Sequence, residues 1–68
     1  MKITINIDGM SCMHCVASVN NALQDLDGVN SVEVSLEQKN AVVEFDDTKL
    51  SAEDLINTVE DIGFDASL

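Results

Sequence analysis

Proline, arginine, tryptophan and tyrosine are absent from the 68 residues, and Phe45 and Phe64 are the only aromatic side chains. A core must therefore be built from Val, Ile and Leu around at most two rings. With 46% hydrophobic residues, the composition is nonetheless that of a globular protein. Positive charge is equally scarce: three lysines stand against thirteen acidic residues, a formal net charge of -10. Such a surface repels phosphate backbones and anionic headgroups, which argues against nucleic acid or membrane as partner and also disfavours an acidic protein. The acidic faces read as solvated surface, with a basic docking partner as the sharper alternative.

Long apolar runs are missing as well. Met1-Lys2-Ile3-Thr4-Ile5-Asn6 lacks the continuous stretch of about seven apolar residues that a signal peptide needs. No later segment approaches the roughly 20 apolar residues of a membrane span. Cysteine occurs only twice, as Cys12 and Cys15. A disulfide between them would close too small a loop to stabilise much, so the pair reads as a metal or redox feature in a reducing, cytoplasmic setting. A chain this short makes one domain, residues 1–68, near the size at which roughly 60% of the unfolded surface is buried on folding.

What is present falls into two periodicities. Ile3, Ile5 and Ile7 alternate with Lys2, Thr4, Asn6 and Asp8, the period-2 pattern of a strand with one buried face, and Gly9 ends it. From about Met13, Val16, Val19, Leu23 and Leu26 recur at three- and four-residue steps with Ala22 between them, which marks an amphipathic helix that Gly28 can cap. Val32, Val34 and Leu36 alternate through a second strand over Ser31 to Glu37. A polar turn at Gln38 to Asn40 joins it to a third strand, Ala41 to about Asp46, as an antiparallel hairpin. Ser51 then starts a second helix, with Asp54 placed for a capping box, Leu50 and Leu55 for a hydrophobic staple, and Leu55, Ile56, Val59 and Ile62 as its buried stripe. Gly63 stops that helix, and Phe64 to Leu68 form a short last strand. Four strands under two helices in this order bury every apolar face. Tracing the directions places the cysteine loop, the turn near Gln38 and the Gly63-Phe64 junction at one end, so Phe64 is a candidate neighbour of the thiols.

Both cysteines, the only histidine and two of the three methionines lie in Gly9-Met10-Ser11-Cys12-Met13-His14-Cys15, between the first strand and the first helix. Thiols at a helix N-terminus see the positive end of the macrodipole and unpaired N–H groups, both of which favour thiolate. Soft thiolates prefer Cu(I). A structural zinc site takes four ligands, usually from two such pairs, and the chain has no second pair and no distant histidine. Two thiolates satisfy Cu(I) and leave it open to attack by another thiol, which suits transfer better than storage. Met10 reads as core filler after a strand, with third-ligand duty the alternative. Met13 reads as a solvent-facing partner contact. His14, beside a ligand, points away to touch a partner or tune its neighbour, with ligation as the alternative. Phe64 is either ordinary packing or a lid.

Gly-Met-Ser-Cys-Met-His-Cys between a strand and a helix, within this six-element order, resembles the heavy-metal-associated domain family over essentially the whole chain. The resemblance implies an α+β fold, a ferredoxin-like βαββαβ open-faced sandwich with a four-stranded antiparallel sheet and two helices on one face. It implies Cu(I) binding by Cys12 and Cys15, and passage of copper to the metal-binding domain of a copper-transporting P-type ATPase. Ser11 and His14 are similar to small bacterial copper chaperones, which often carry Tyr where this chain has Phe64. Gly63-Phe64-Asp65-Ala66 looks more like the amino-terminal metal-binding domains of the ATPases themselves. A 68-residue span beginning at Met1 favours the free-standing chaperone, monomeric without metal and able to form a metal-bridged dimer. The competing class is a thiol-disulfide oxidoreductase, which uses the same CxxC at a helix start. It is disfavoured, because the tryptophan beside the motif and the proline facing it in thioredoxin-like enzymes are both missing, so no enzymatic role is expected. Binding of Zn(II), Cd(II) or Hg(II) stays open on ligand type alone.

Overall fold

The isoleucine alternation becomes a real strand in the computed structural model, which describes Met1–Leu68. The elements are β1 (Lys2–Asp8), α1 (Met13–Gln24), β2 (Val29–Ser35), β3 (Asn40–Phe45), α2 (Ala52–Asp61) and β4 (Asp65–Ser67). All pairings are antiparallel, and the strand order is β2-β3-β1-β4. The first strand in sequence is thus central in the sheet, bonded to β3 on one side and β4 on the other. This is the ferredoxin-like open-faced sandwich expected from the element order.

Register decides which side chains share a face. Ile3 and Val32 flank Val43, while Ile5 and Val34 flank the small Ala41, so these rows point together beneath the helices. Ile5, Ile7, Val19, Leu23, Ala41, Val43, Phe45, Leu55 and Val59 are essentially sealed from solvent, and Met10 joins them. Full burial of each Val, Leu, Ile or Phe contributes about 1.5–3 kcal/mol, and no buried polar or charged residue offsets it. The opposite face carries Lys2, Thr4, Asn6, Glu33 and Glu44, all exposed.

Three boundaries differ from the pattern reading. Gly28 does not cap α1: the helix stops at Gln24, with Asp25 at the C-cap and no basic side chain in the last turn to favour its negative end. Gly28 instead lies in the turn into β2 at φ +110, where its carbonyl accepts the Asp46 N–H at 2.7 Å and a Cβ would stand 3.0 Å from that of Lys49. β2 begins at Val29, with a bulge between Val29 and Ser31, and ends before Leu36, which enters the turn. Ile62 is not part of the buried stripe but is 41% exposed, since α2 has already ended and Ile62 is its C-cap.

The ends of α2 follow the sequence signals. Ser51 Oγ accepts the Asp54 N–H and the Asp54 carboxylate accepts the Ser51 N–H, a complete capping box. At the other end the Gly63 N–H donates to the Glu60 carbonyl and the Phe64 N–H to the Val59 carbonyl, the paired bonds of a Schellman stop. This stop turns the chain into β4 beside β1. It brings Phe64 against the start of the cysteine loop, while the Ile7 N–H reaches the Lys39 carbonyl at 2.8 Å and ties the β2–β3 turn to the same end.

Phe45→Ala removes the one ring at the centre of this core and is expected to cost about 3–5 kcal/mol in urea unfolding with an unchanged slope. Ser51→Ala, which removes only the cap, is expected to cost about 1 kcal/mol.

Candidate metal centre

The loop from Gly9 to Cys12 is held at one end and open at the other. Gly9 adopts φ +103, a conformation that L side chains rarely take, and a Cβ there would lie 3.2 Å from Cδ1 of Phe64. Met10 turns inward and is 5% exposed, packed into the core cluster as the reading of a strand-end methionine expected. Ser11 and Cys12 then emerge, both exposed. Phe64 is half-buried against the core with its ring behind Gly9, so it backs the loop.

Cys12 is the N-cap of α1, in extended backbone conformation. N-caps usually spend their side chain on an orphan N–H. Here no side-chain cap bond forms, and the Cys12 carbonyl alone accepts the N–H groups of Cys15 at 3.1 Å and Val16 at 3.3 Å. The sulfur is left free. Cys15, one turn into the helix, is half-buried, and the two Sγ atoms stand 3.7 Å apart as free thiols. No acidic residue occupies the first turn of α1, so nothing competes with thiolates for the positive helix end. The Ser11 backbone N–H, and after it the Cys12 thiol, hold the Cys15 thiol below its ordinary pKa. The helix terminus is legible in the sequence, but the part of Ser11 is not. A donor supplied by the backbone is invisible in residue identities.

The other soft groups do not converge. Met13 is 67% exposed, His14 is exposed, and no cluster of three or more Cys, His, Asp or Glu side chains is placed to hold a metal ion. Cys12 and Cys15 are thus two neighbouring thiols with no third Cys, His, Asp or Glu clustered beside them. Metal–sulfur bonds of about 2.3 Å span a 3.7 Å separation only in a bent arrangement, which leaves the outer side of the ion free for another donor. Such a pair can chelate a soft ion and give it up to a competing thiolate.

A strand-loop-helix that presents a CxxC pair from a βαββαβ sandwich defines a domain built to hold a thiophilic metal. The chain belongs to the heavy-metal-associated domain family, with residues 4–65 matching. It is 47% identical over 62 residues to the copper chaperone CopZ of Staphylococcus saprophyticus, a match spanning 91% of each chain. Among solved structures it resembles a CopZ metallochaperone, with a TM-score of 0.95 and 37% identity over 98% of this chain and 100% of that one. It resembles equally the copper-binding domain of HMA7, a P-type ATPase, with a TM-score of 0.95 and 39% identity over 97% of this chain and 89% of that one. No helix is long and apolar enough to cross a membrane.

A thiol whose pKa is depressed by folding adds stability that is fully present above its unfolded pKa and lost as pH falls through the folded one. In Cys12→Ser, iodoacetamide labelling of Cys15 should therefore show a midpoint below that of the urea-unfolded chain. Ser11→Ala in that background should keep most of the depression, because the leading donor is backbone. A midpoint at the unfolded value would contradict this geometry.

Proposed function

We propose that this chain binds one Cu(I) through Cys12 and Cys15 in the cytoplasm and delivers it, as a copper chaperone, to the metal-binding domain of a copper-transporting P-type ATPase. The observation that carries the reading is the pair of free thiols 3.7 Å apart at a helix N-terminus with no third protein ligand. Soft two-thiolate coordination suits Cu(I), and a site this incomplete releases its metal by substitution. An incoming thiolate from the acceptor adds to the bound ion, and Cys12, exposed and outside the helix, leaves first and takes up a proton. Cys15, half-buried and held toward thiolate by the Ser11 backbone, leaves second. The copper is never free, and only metal–thiolate bonds are exchanged, so the role is carriage and not catalysis.

A second reading has its own support. The HMA7 domain and a CopZ metallochaperone match with the same TM-score of 0.95, and Gly63-Phe64-Asp65-Ala66 resembles the ATPase domains. The same fold and site then serve as the metal-binding domain of an ATPase, receiving copper by the same exchange.

Anaerobic titration against a competing chelator should find one Cu(I) per chain, and Cys12→Ser and Cys15→Ser should each abolish tight binding. Unchanged affinity in either variant rejects the assignment. Met10→Leu keeps volume and removes the sulfur, so it should cost less than about 1.5 kcal/mol and leave copper affinity unaltered. A tenfold loss without unfolding would instead make the thioether a ligand.

A further inference from the structure

β4 is the least secured strand of the sheet. It is three residues long and pairs only with Asn6, Ile7 and Asp8 of β1. β1 and β3 bury Ile5, Ile7, Ala41, Val43 and Phe45, whereas no residue from Phe64 to Leu68 is fully buried. Phe64 and Ala66 pack on the core from its margin, and Leu68 is 68% exposed. Register adds a repulsion. Asp8 and Asp65 are both exposed and stand directly opposite one another, a relation in which like charges weaken pairing. Lys39 lines the same hollow of about 250 Å³ but forms no ion pair there, the chain's one salt bridge being Lys49 to Asp27. The strand is nonetheless joined to the metal loop. The residue that leads into it, Phe64, sets its ring behind Gly9, with Cδ1 3.2 Å from where a Cβ would stand. Met10 and Cys12 follow directly on from Gly9.

We propose that β4 is a strap loosened by charge: it leaves β1 before the rest of the fold opens, and when closed it steadies the loop of Cys12 and Cys15 through Phe64, so that metal binding and strap closure favour one another. The coupling to metal rests on the metal-binding reading above; the opening of the strap does not. Segments that bury little apolar surface open locally, at a smaller free energy than global unfolding. β4 lies at the edge of the sheet, so nothing pairs with it from the far side. β1 keeps its ladder to β3 when β4 leaves, and opening therefore costs the sheet a single seam. What opening removes is the ring behind Gly9. An ion bridging both sulfurs favours the loop arrangement that this ring backs, and by reciprocity it makes β4 harder to open.

Amide hydrogen exchange in the reduced full chain, resolved residue by residue by NMR, reads strap opening directly. Without metal, the β4 amides should exchange about tenfold or more faster than that of Val43 in β3, after correction for intrinsic rates. Asp65→Asn should slow β4 exchange about two- to fivefold. Glu53→Gln, which removes one acid from the start of α2, should leave it unchanged. Protection in β4 equal to that of Val43, no response to Asp65→Asn, or an equal response to Glu53→Gln overturns the strap. Loading with one Cu(I) should slow β4 exchange about fivefold or more. Phe64→Leu, which keeps an apolar side chain and removes the ring, should lose most of that slowing, and full slowing in this variant overturns Phe64 as the link. Unchanged β4 exchange in protein shown to hold one copper overturns the coupling and leaves the metal-binding reading intact. Failure to take up copper overturns that reading, and the strap is then judged on the metal-free exchange alone.

Discussion

The burial of Met10 is the contact on which the metal loop depends. It lies between the end of the central strand and the N-cap of α1, and its side chain is sealed in the core with Ile7 and Val19. From the next residue, Ser11, the chain is exposed, so one anchored side chain helps set where the thiols emerge. Gly9 permits the turn into that anchor, and the ring of Phe64, delivered by the stop after α2, stands behind it. A loop tied at its base and free at its tip can hold two sulfurs close together without enclosing what they bind.

Enclosure is what the site lacks, and this shapes its chemistry. The helix end and the Ser11 backbone favour thiolate at Cys15, and no lysine is among the causes of the lowering. Cys12 gives the helix only its carbonyl, and its exposed sulfur interacts with the Cys15 sulfur alone. The two cysteines are therefore unequal by construction, one half-buried within the helix and one exposed at its N-cap. The ordered exchange proposed above would rest on that inequality and would need no moving part in the fold.

Much of this was legible in the residues. The alternation of Ile3, Ile5 and Ile7, the capping signal at Ser51 and Asp54, and the strand-loop-helix setting of Cys12 and Cys15 each have a local physical cause, and each appears where it was read. Met10 was assigned to the core because it follows a buried-face strand. The misreadings came where a residue served a distant partner. Gly28 has the identity of a helix cap, yet its role is the close approach of the Lys49 turn, which no local pattern encodes. Ile62 fits the helical stripe by spacing and falls outside because α2 has already ended one residue earlier. The Ser11 N–H was overlooked because every residue but proline has one, and only the folded loop aims it at a sulfur.

The central claim is that metal leaves this site by substitution and not by dissociation. The most direct measurement mixes copper-loaded protein, stopped-flow, with a series of concentrations of an apo CxxC domain of a copper-transporting ATPase in the presence of a chelator. A departure rate that rises with acceptor concentration and exceeds the chelator-only rate is predicted. A rate independent of acceptor and equal to spontaneous release would contradict the account.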